Sequence, residues 1–372
     1  MRVAFVIVAA ALAIAAATTA TAASGPKGEG ALSLLEWPSY SDSNIAKPFF
    51  RQTGCKITRH DVGSSNQMAA LMRGSSGSYD LVSASADIAR LLIAGRLVKP
   101  IAVAAIPDEK QVFPVFRSPA FNTVSRVHYG VAVQWVPNLL LYNAKRVQPA
   151  PSSWKAIYDP ANKGKVAVPN DPLQIADAAL YLAKARPPLH IVDPFELTST
   201  QFAAAVSLLH GQKQLVAGYW NYAADEVSQF KNGSASLGVG WPYQALTLKT
   251  GGIPARAIIP REGVTGFADS WMVSAKAKHP VCARKWLDYV VTPAVQAKLA
   301  LALGETPVNP KACPLMNAAQ PGSCAAYRLD RAAHDLPRVK FWKTPLANCG
   351  RARARDCVPY AQWQTAWAGI HG

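Results

Sequence analysis

The sequence has 372 residues, half of them hydrophobic and 16% charged, which is enough apolar matter for two domains with separate cores. Lysine and arginine outnumber aspartate and glutamate by 39 to 22, a formal charge of +17. The basic residues are scattered and no helix-turn-helix, zinc-finger or RNP pattern accompanies them, so no nucleic-acid partner is expected. The densest cluster, Arg351-Ala352-Arg353-Ala354-Arg355, lies between two cysteines and reads as a solvated loop.

In chain order, Met1 and Arg2 precede fifteen apolar residues, Val3 to Ala17, and then small residues through Ala20-Thr21-Ala22-Ala23. This reads as a cleavable export signal over residues 1–23 with an A-x-A site. The run is shorter than the ~20 apolar residues that a bilayer span requires. The mature chain is expected to be exported, periplasmic and soluble. Ala31 to Trp37 then gives a buried strand, Ile45 to Thr53 a helix that Gly54 ends, and Lys56 to Asp61 a second strand. A helix from Asn66 to Met72, a strand from Tyr79 to Val82 and a helix from Asp87 to Ala94 follow. Strands are expected again at Val131–Trp135, Leu139–Tyr142, Lys165–Val168, Leu237–Trp241 and Ser270–Ser274. Between and after them lie helical stretches at 176–185, 202–209 and 223–230, one running to Leu248, and two more at 281–291 and 293–303. The tail from Cys313 reads as irregular, closing with a short aromatic helix around Trp363 and Trp367. Alternating strands and helices predict an α/β protein with parallel, doubly wound sheets.

The six cysteines are Cys55, Cys282, Cys313, Cys324, Cys349 and Cys357. An even number in an exported chain favours disulfides, and no C-x-x-C or Cys/His zinc spacing occurs. Many pairings are possible. Proximity favours Cys313–Cys324 and Cys349–Cys357, each closing a short loop rich in Pro, Gly and Asn, which leaves Cys55 for Cys282.

In open α/β sheets, ligands bind beyond the carboxyl ends of the strands. The residues there are Trp37, Tyr40, Ser85, Asp87, Asp171, Gln174, Trp241, Phe267 and Asp269. Aromatic faces attract cations and carboxylates bind ammonium groups through charge-assisted hydrogen bonds. Each residue also has a plainer reading: Trp37 as a core cap, Asp171 as a helix cap, Asp269 as a turn former. Their coincidence at strand ends favours a pocket.

Several segments carry a resemblance. They are Glu36-Trp37-Pro38-Ser39-Tyr40, Lys47 to Gly54, Tyr79-Asp80-Leu81-Val82, Ser153-Trp154-Lys155-Ala156 with Asp159-Pro160 and Lys163-Gly164-Lys165, Gly266-Phe267-Ala268-Asp269-Ser270, Ala283 to Tyr289, and Gly304 to Asn309. In order and spacing, the chain resembles the spermidine/putrescine-binding proteins of ABC importers from about residue 32 to its end. The resemblance implies a two-lobed periplasmic-binding-protein fold of type II kind, closing on ligand by hinge bending. Residues 31–132 with 266–312 would form one lobe and 133–265 with 313–372 the other. The crossovers would fall near Val131–Gln134 and Val264–Phe267. It also implies an aromatic box with acids around a polyamine, at Trp37, Tyr40, Ser85, Asp171, Trp241, Phe267 and Asp269. The sequence departs from that pattern at Asp87, where an aromatic is usual, at Gln174 in place of Glu, and at Glu305 in place of Tyr. The implied partners are a small cationic amine and an inner-membrane permease; a monomer without cofactor is expected.

Two other readings remain open on sequence. No G-x-S-x-G, H-E-x-x-H, Walker or dinucleotide motif is present, yet Asp171 and Asp269 could form a hydrolase pair. Tyr219 and Tyr222 lie close together and could ligate ferric iron.

Overall fold

The computed structural model describes residues 29–349 and 356–371; the export signal expected at 1–23 and the arginine cluster 351–355 lie outside the described residues. The chain begins with β1 (Ala31–Glu36), α1 (Ser43–Thr53), β2 (Lys56–Asp61), α2 (Ser65–Ser75), β3 (Leu81–Ser85) and α3 (Ala86–Ala94). The α1 helix ends where Gly54 takes φ 73° and its N–H reaches the Phe50 carbonyl. β3 starts at Leu81, later than expected, because Asp80 turns its carboxylate to the backbone N–H groups of Ser33 (2.8 Å), Lys278 (2.7 Å) and His279 (2.9 Å). A short helix, α4 (Pro114–Arg117), and the hairpin of β4 (Thr123–Val124) and β5 (Val127–His128) lead to β6 (Gly130–Pro137), buried throughout.

A single residue, Asn138, separates β6 from β7 (Leu139–Asn143). Then come β8 (Val166–Pro169), α5 (Gln174–Ala185), α6 (Ser199–Lys213), β9 (Val216–Trp220), α7 (Ala223–Lys231), β10 (Leu237–Gly240), α8 (Pro242–Thr250) and β11 (Ala255–Ile258). The return strand β12 (Val264–Val273) starts well before the expected Ser270 and is buried at every position. It is followed by α9 (Pro280–Val290), α10 (Pro293–Leu303) and β13 (Thr306–Pro307). The tail is not irregular as expected: it forms α11 (Ala312–Ala319), α12 (Ser323–Ala326), α13 (Ala332–Asp335), β14 (Val339–Phe341) and α14 (Tyr360–His371). Pro314 sits in the first turn of α11, where its missing N–H would have no intrahelical partner anyway.

Two sheets result. The first has the order β13-β6-β12-β3-β1-β2, with β14 also paired to β12; the second has the order β11-β7-β10-β8-β9. β1 runs parallel to β2 and β3, and β8 runs parallel to β9 and β10, as expected of a doubly wound layer. The long strands β6 and β12 pair antiparallel and carry the chain out of the first sheet and back. This is a two-lobed α/β fold. Continuous apolar strands explain it: Leu32, Leu34 and Leu35 in β1 and Leu139 to Leu141 in β7 are all buried. The stretch 313–372, expected with the second lobe, divides: β14 joins β12 in the first sheet, whereas Trp363 of α14 packs against Phe202 of α6 (ring centroids 5.7 Å).

The first core centres on Trp271, whose ring meets Trp286 (5.4 Å) and Tyr40 (6.2 Å) edge-on. Three disulfides join Cys55 to Cys282, Cys313 to Cys324 and Cys349 to Cys357, the pairs expected from the sequence. No helix among the described residues is long and apolar enough to cross a membrane.

Candidate functional site

β12 faces two strands at Asp269: Ser85 stands opposite on β3 and Gln134 opposite on β6, at a bulge between Asp269 and Ser270. The bulge re-aims the side chain. Asp269 is 2% exposed and accepts hydrogen bonds from the hydroxyls of Tyr40 and Ser85, one on each oxygen. The Tyr40 oxygen also lies 3.2 Å from Glu305 Oε2. Tyr40 has one proton. If it goes to Asp269, the phenol oxygen can accept only from a protonated Glu305. Burial, and then the Asp269 charge, do raise the Glu305 pKa well above the usual carboxyl range. Burial also raises the Asp269 pKa, while the two hydroxyls oppose the rise, so Asp269 ionises first.

Glu305 owes its place to Gly304, which ends α10 at φ 74° with its N–H on the Ala300 carbonyl. A Cβ there would lie 2.7 Å from Tyr243 Cδ2. Gly304→Ala is therefore expected to lower stability by about 1–2 kcal/mol or more, through left-handed backbone and clash. Thermal unfolding checks this; an unchanged melting temperature would contradict it.

A second group of carboxyls converges from both lobes. Asp87, in the first turn of α3, accepts from Ser65 Oγ (3.1 Å). Its pKa is pushed up to about 7 by burial, then by the Asp171 charge. Asp171, after β8, accepts the Leu173 N–H (2.7 Å) in the turn before α5, whose N-cap is Leu173, so it is not the helix cap of the plain reading; burial pushes its pKa up to about 6. Gln174 Nε2 donates to Asp177 Oδ2 (2.8 Å), and the Thr265 hydroxyl donates to the other Asp177 oxygen. The Asp177 pKa is pushed up to about 7, by burial first. Gln174 is thus an orienting group, and the carboxylate comes from one helical turn further along. Where a neighbouring charge acts on Asp87, Asp177 or Glu305, it is another carboxylate.

An aromatic row runs beside these groups: Trp220–Trp241 at 5.0 Å, Trp241–Phe267 at 5.4 Å and Phe267–Trp342 at 5.5 Å between centroids. The Trp241 indole N–H is held by Asn138 Oδ1 (3.0 Å), and Asn138 Nδ2 donates to Thr265 Oγ1 (2.9 Å). The ring is therefore pinned to both crossovers. Trp37 packs on the first-lobe core and gives its backbone N–H to Ser83 Oγ (3.0 Å), close to the plain reading. Sequence reasoning missed Asn138, Thr265, Asp177, Trp342 and Tyr360. Tyr360 opens α14, and its pKa is raised by burial and then by the charges of Asp171 and Asp87.

The tyrosine pair does not form an iron site. The Tyr219 ring packs against Trp367 (5.7 Å) and His371 (5.0 Å), while Tyr222 is 72% exposed. Among the described residues, no group of three or more His, Cys, Asp or Glu is placed to hold a metal ion.

Residues 44–320 match the family of bacterial extracellular solute-binding proteins. The spermidine/putrescine-binding periplasmic protein of Escherichia coli (strain K12) is 23% identical over 276 residues, 73% of this chain and 76% of that protein. The putrescine-binding periplasmic protein PotF of the same organism is 24% identical over 307 residues, 77% and 80% of the two chains. In fold, the chain is similar to the TpPotD lipoprotein of Treponema pallidum, with a TM-score of 0.71 at 18% identity over 91% of this chain and 99% of that one.

Proposed function

The chain belongs to the bacterial extracellular solute-binding proteins, the solute-capturing subunits of ABC transporters, and from that membership we propose that it binds a small organic dication of the polyamine class in the periplasm and hands it to a membrane permease. The lobes are the two sheets with their helices. On this reading the chain passes between them at Asn138 and again between Ile258 and Val264.

One observation carries the ligand class: five buried or half-buried carboxyls, Asp87, Asp171, Asp177, Asp269 and Glu305, crowd beside an aromatic row. Carboxyls crowded out of water resist ionising together unless a cation joins them. An ammonium group supplies the charge and donates to two or three oxygens at once. A chain of methylenes between two such groups suits the faces of Trp241 and Phe267. Putting Asp87 and Glu305 where relatives of this kind carry rings adds negative charge, which favours a compact, strongly charged amine over a long one. The role is capture rather than catalysis, in keeping with a family of solute-binding proteins.

Isothermal titration of the mature protein with 1,4-diaminobutane, spermidine, a monoamine, an amino acid and a sugar tests this reading. Binding confined to the diamine and polyamine is expected; binding of the sugar or of nothing but the amino acid would refute the dication.

The pH dependence has a definite sign. Asp87, Asp171 and Asp177 hold their protons more tightly folded than unfolded, with pKa values near 7, 6 and 7 against an ordinary 3.8. These three groups thus favour the ligand-free fold most below about pH 4, and their contribution is lost as pH rises from there through about 7. Amine binding runs the other way, because the carboxyls must ionise to receive it. Affinity is expected to fall at least tenfold between pH 8 and pH 5, about 1.4 kcal/mol. A flat affinity over that range would count against ammonium–carboxylate pairing.

A further inference from the structure

The tail after β14 crosses from one lobe to the other beside the second group of carboxyls. The Thr344 hydroxyl donates to the Asp87 carbonyl on α3. Five residues later the chain reaches the loop closed by Cys349–Cys357, where Cys357 N–H returns to the Ala347 carbonyl (3.2 Å) and Val358 N–H bonds the Leu197 carbonyl (2.9 Å). This staple starts α14 at a fixed point: Tyr360 N–H sits on the Pro345 carbonyl at 3.0 Å. Further along, Trp367 Nε1 donates to Asn170 Oδ1 (2.9 Å), the residue before Asp171 in the second lobe. Gln364 Nε2 donates to Asn66 Oδ1 (3.2 Å) on α2 in the first lobe, beside the Ser65 that holds Asp87. One helix therefore touches the neighbours of both carboxyls, one from each lobe.

Resting on the reading above that the site takes a dication, we propose that α14 is a wall of the ligand site and not only a brace of the second lobe, with Tyr360 closing the Asp87–Asp171 end and thereby limiting the length of amine that fits. The phenol is held neutral there, since both nearby carboxyls and burial disfavour its anion. A neutral phenol offers an ammonium group a ring face and an oxygen lone pair while adding no charge to be neutralised. Gln364 ties the same helix to the first lobe, so the wall is complete only when the lobes are together. The length limit follows from the staple: with Cys349–Cys357 fixing its start, α14 cannot slide to admit a longer chain.

The test has two arms. In the first, wild type, Tyr360→Phe and Tyr360→Ala, each checked by thermal unfolding, are titrated at pH 8 with 1,3-diaminopropane, 1,4-diaminobutane, 1,5-diaminopentane and spermidine. Tyr360→Ala is expected to weaken the best wild-type ligand about tenfold and to move the preference to a longer amine; Tyr360→Phe keeps the wild-type length order. An unchanged order and affinity in Tyr360→Ala overturns the wall. The second arm needs no amine: in protein carrying 13C-labelled tyrosine, the Cζ resonance that Tyr360→Phe removes should shift between pH 6 and 7, and Asp87→Asn should abolish or move that inflection. Its absence in wild type overturns the placement of Tyr360 at the carboxyl pair. If no amine binds wild type, the dication reading and the length limit both fall, while the second arm still decides whether Tyr360 lines the carboxyl pair.

Discussion

Asp269→Asn is expected to weaken amine binding by about tenfold or more, a loss of at least ~1.4 kcal/mol, without lowering the melting temperature of the ligand-free protein at pH 8. Both halves follow from one arrangement. Asp269 is the carboxyl best able to hold a charge in its cluster, because Tyr40 and Ser85 each give it a hydroxyl. It is therefore the first anion an ammonium group would meet. The same charge is buried and raises the pKa of Glu305, so replacing it with a neutral amide of equal size relieves a strain in the empty site. Titration calorimetry beside a melting curve separates the cases. Weaker binding with lower stability would mean only a damaged fold; unchanged affinity would place the amine elsewhere. Trp241→Ala serves as the aromatic counterpart, and a similar loss is expected, since Asn138 holds that indole in position beside Phe267.

The second large effect concerns Cys55 and Cys282. Their bond joins the start of β2 to the first turn of α9 across a sequence separation of 227. Closing so long a loop restricts the unfolded chain strongly, and the loss on removing such a bond is about 2–5 kcal/mol. The double variant Cys55→Ser/Cys282→Ser is expected to show that loss in urea unfolding at neutral pH. The two tail bonds span separations of only 11 and 8, so the Cys313/Cys324 pair should matter less when removed in the same way. Equal losses would argue that local strain, and not loop length, sets the contribution.

Much of the fold is legible because its central strands are apolar on both faces. The runs in β1, β6 and β7 need no tertiary information to be recognised as buried. Two of the strands that escape notice, β9 and β11, are the outermost of the second sheet and are only partly buried, so their sequences lack both the continuous run and a clean alternation. Pro314 beside Cys313 conceals α11, since proline in a first turn looks like a breaker. The site divides in the same way. The strand-end rule finds Ser85, Asp87, Asp171, Trp241 and Asp269, because the topology alone puts those positions at one edge. It cannot find Asp177, which faces inward from a helix, although a lone acid in the apolar run Ile175 to Leu182 is a signal in hindsight. Asn138 carries a similar mark: a buried amide between two wholly buried strands needs partners, and it finds Thr265 and Trp241. Trp342 and Tyr360 come from the tail, whose path back between the lobes no local pattern records.

The order of strands in the first sheet bears on how the chain assembles when it emerges from its N-terminus onward. The second sheet draws all five of its strands from one unbroken stretch, Leu139 to Ile258. The first sheet needs β12 between β6 and β3, and β12 arrives only after that whole stretch has passed. The second lobe can therefore begin to collapse while β1, β2, β3 and β6 still wait with a gap at the centre of their sheet. Cys55 must stay unpaired through this interval, for its partner lies beyond β12. An oxidant acting in order of appearance would still pair it correctly, because Cys282 is the next cysteine in the chain.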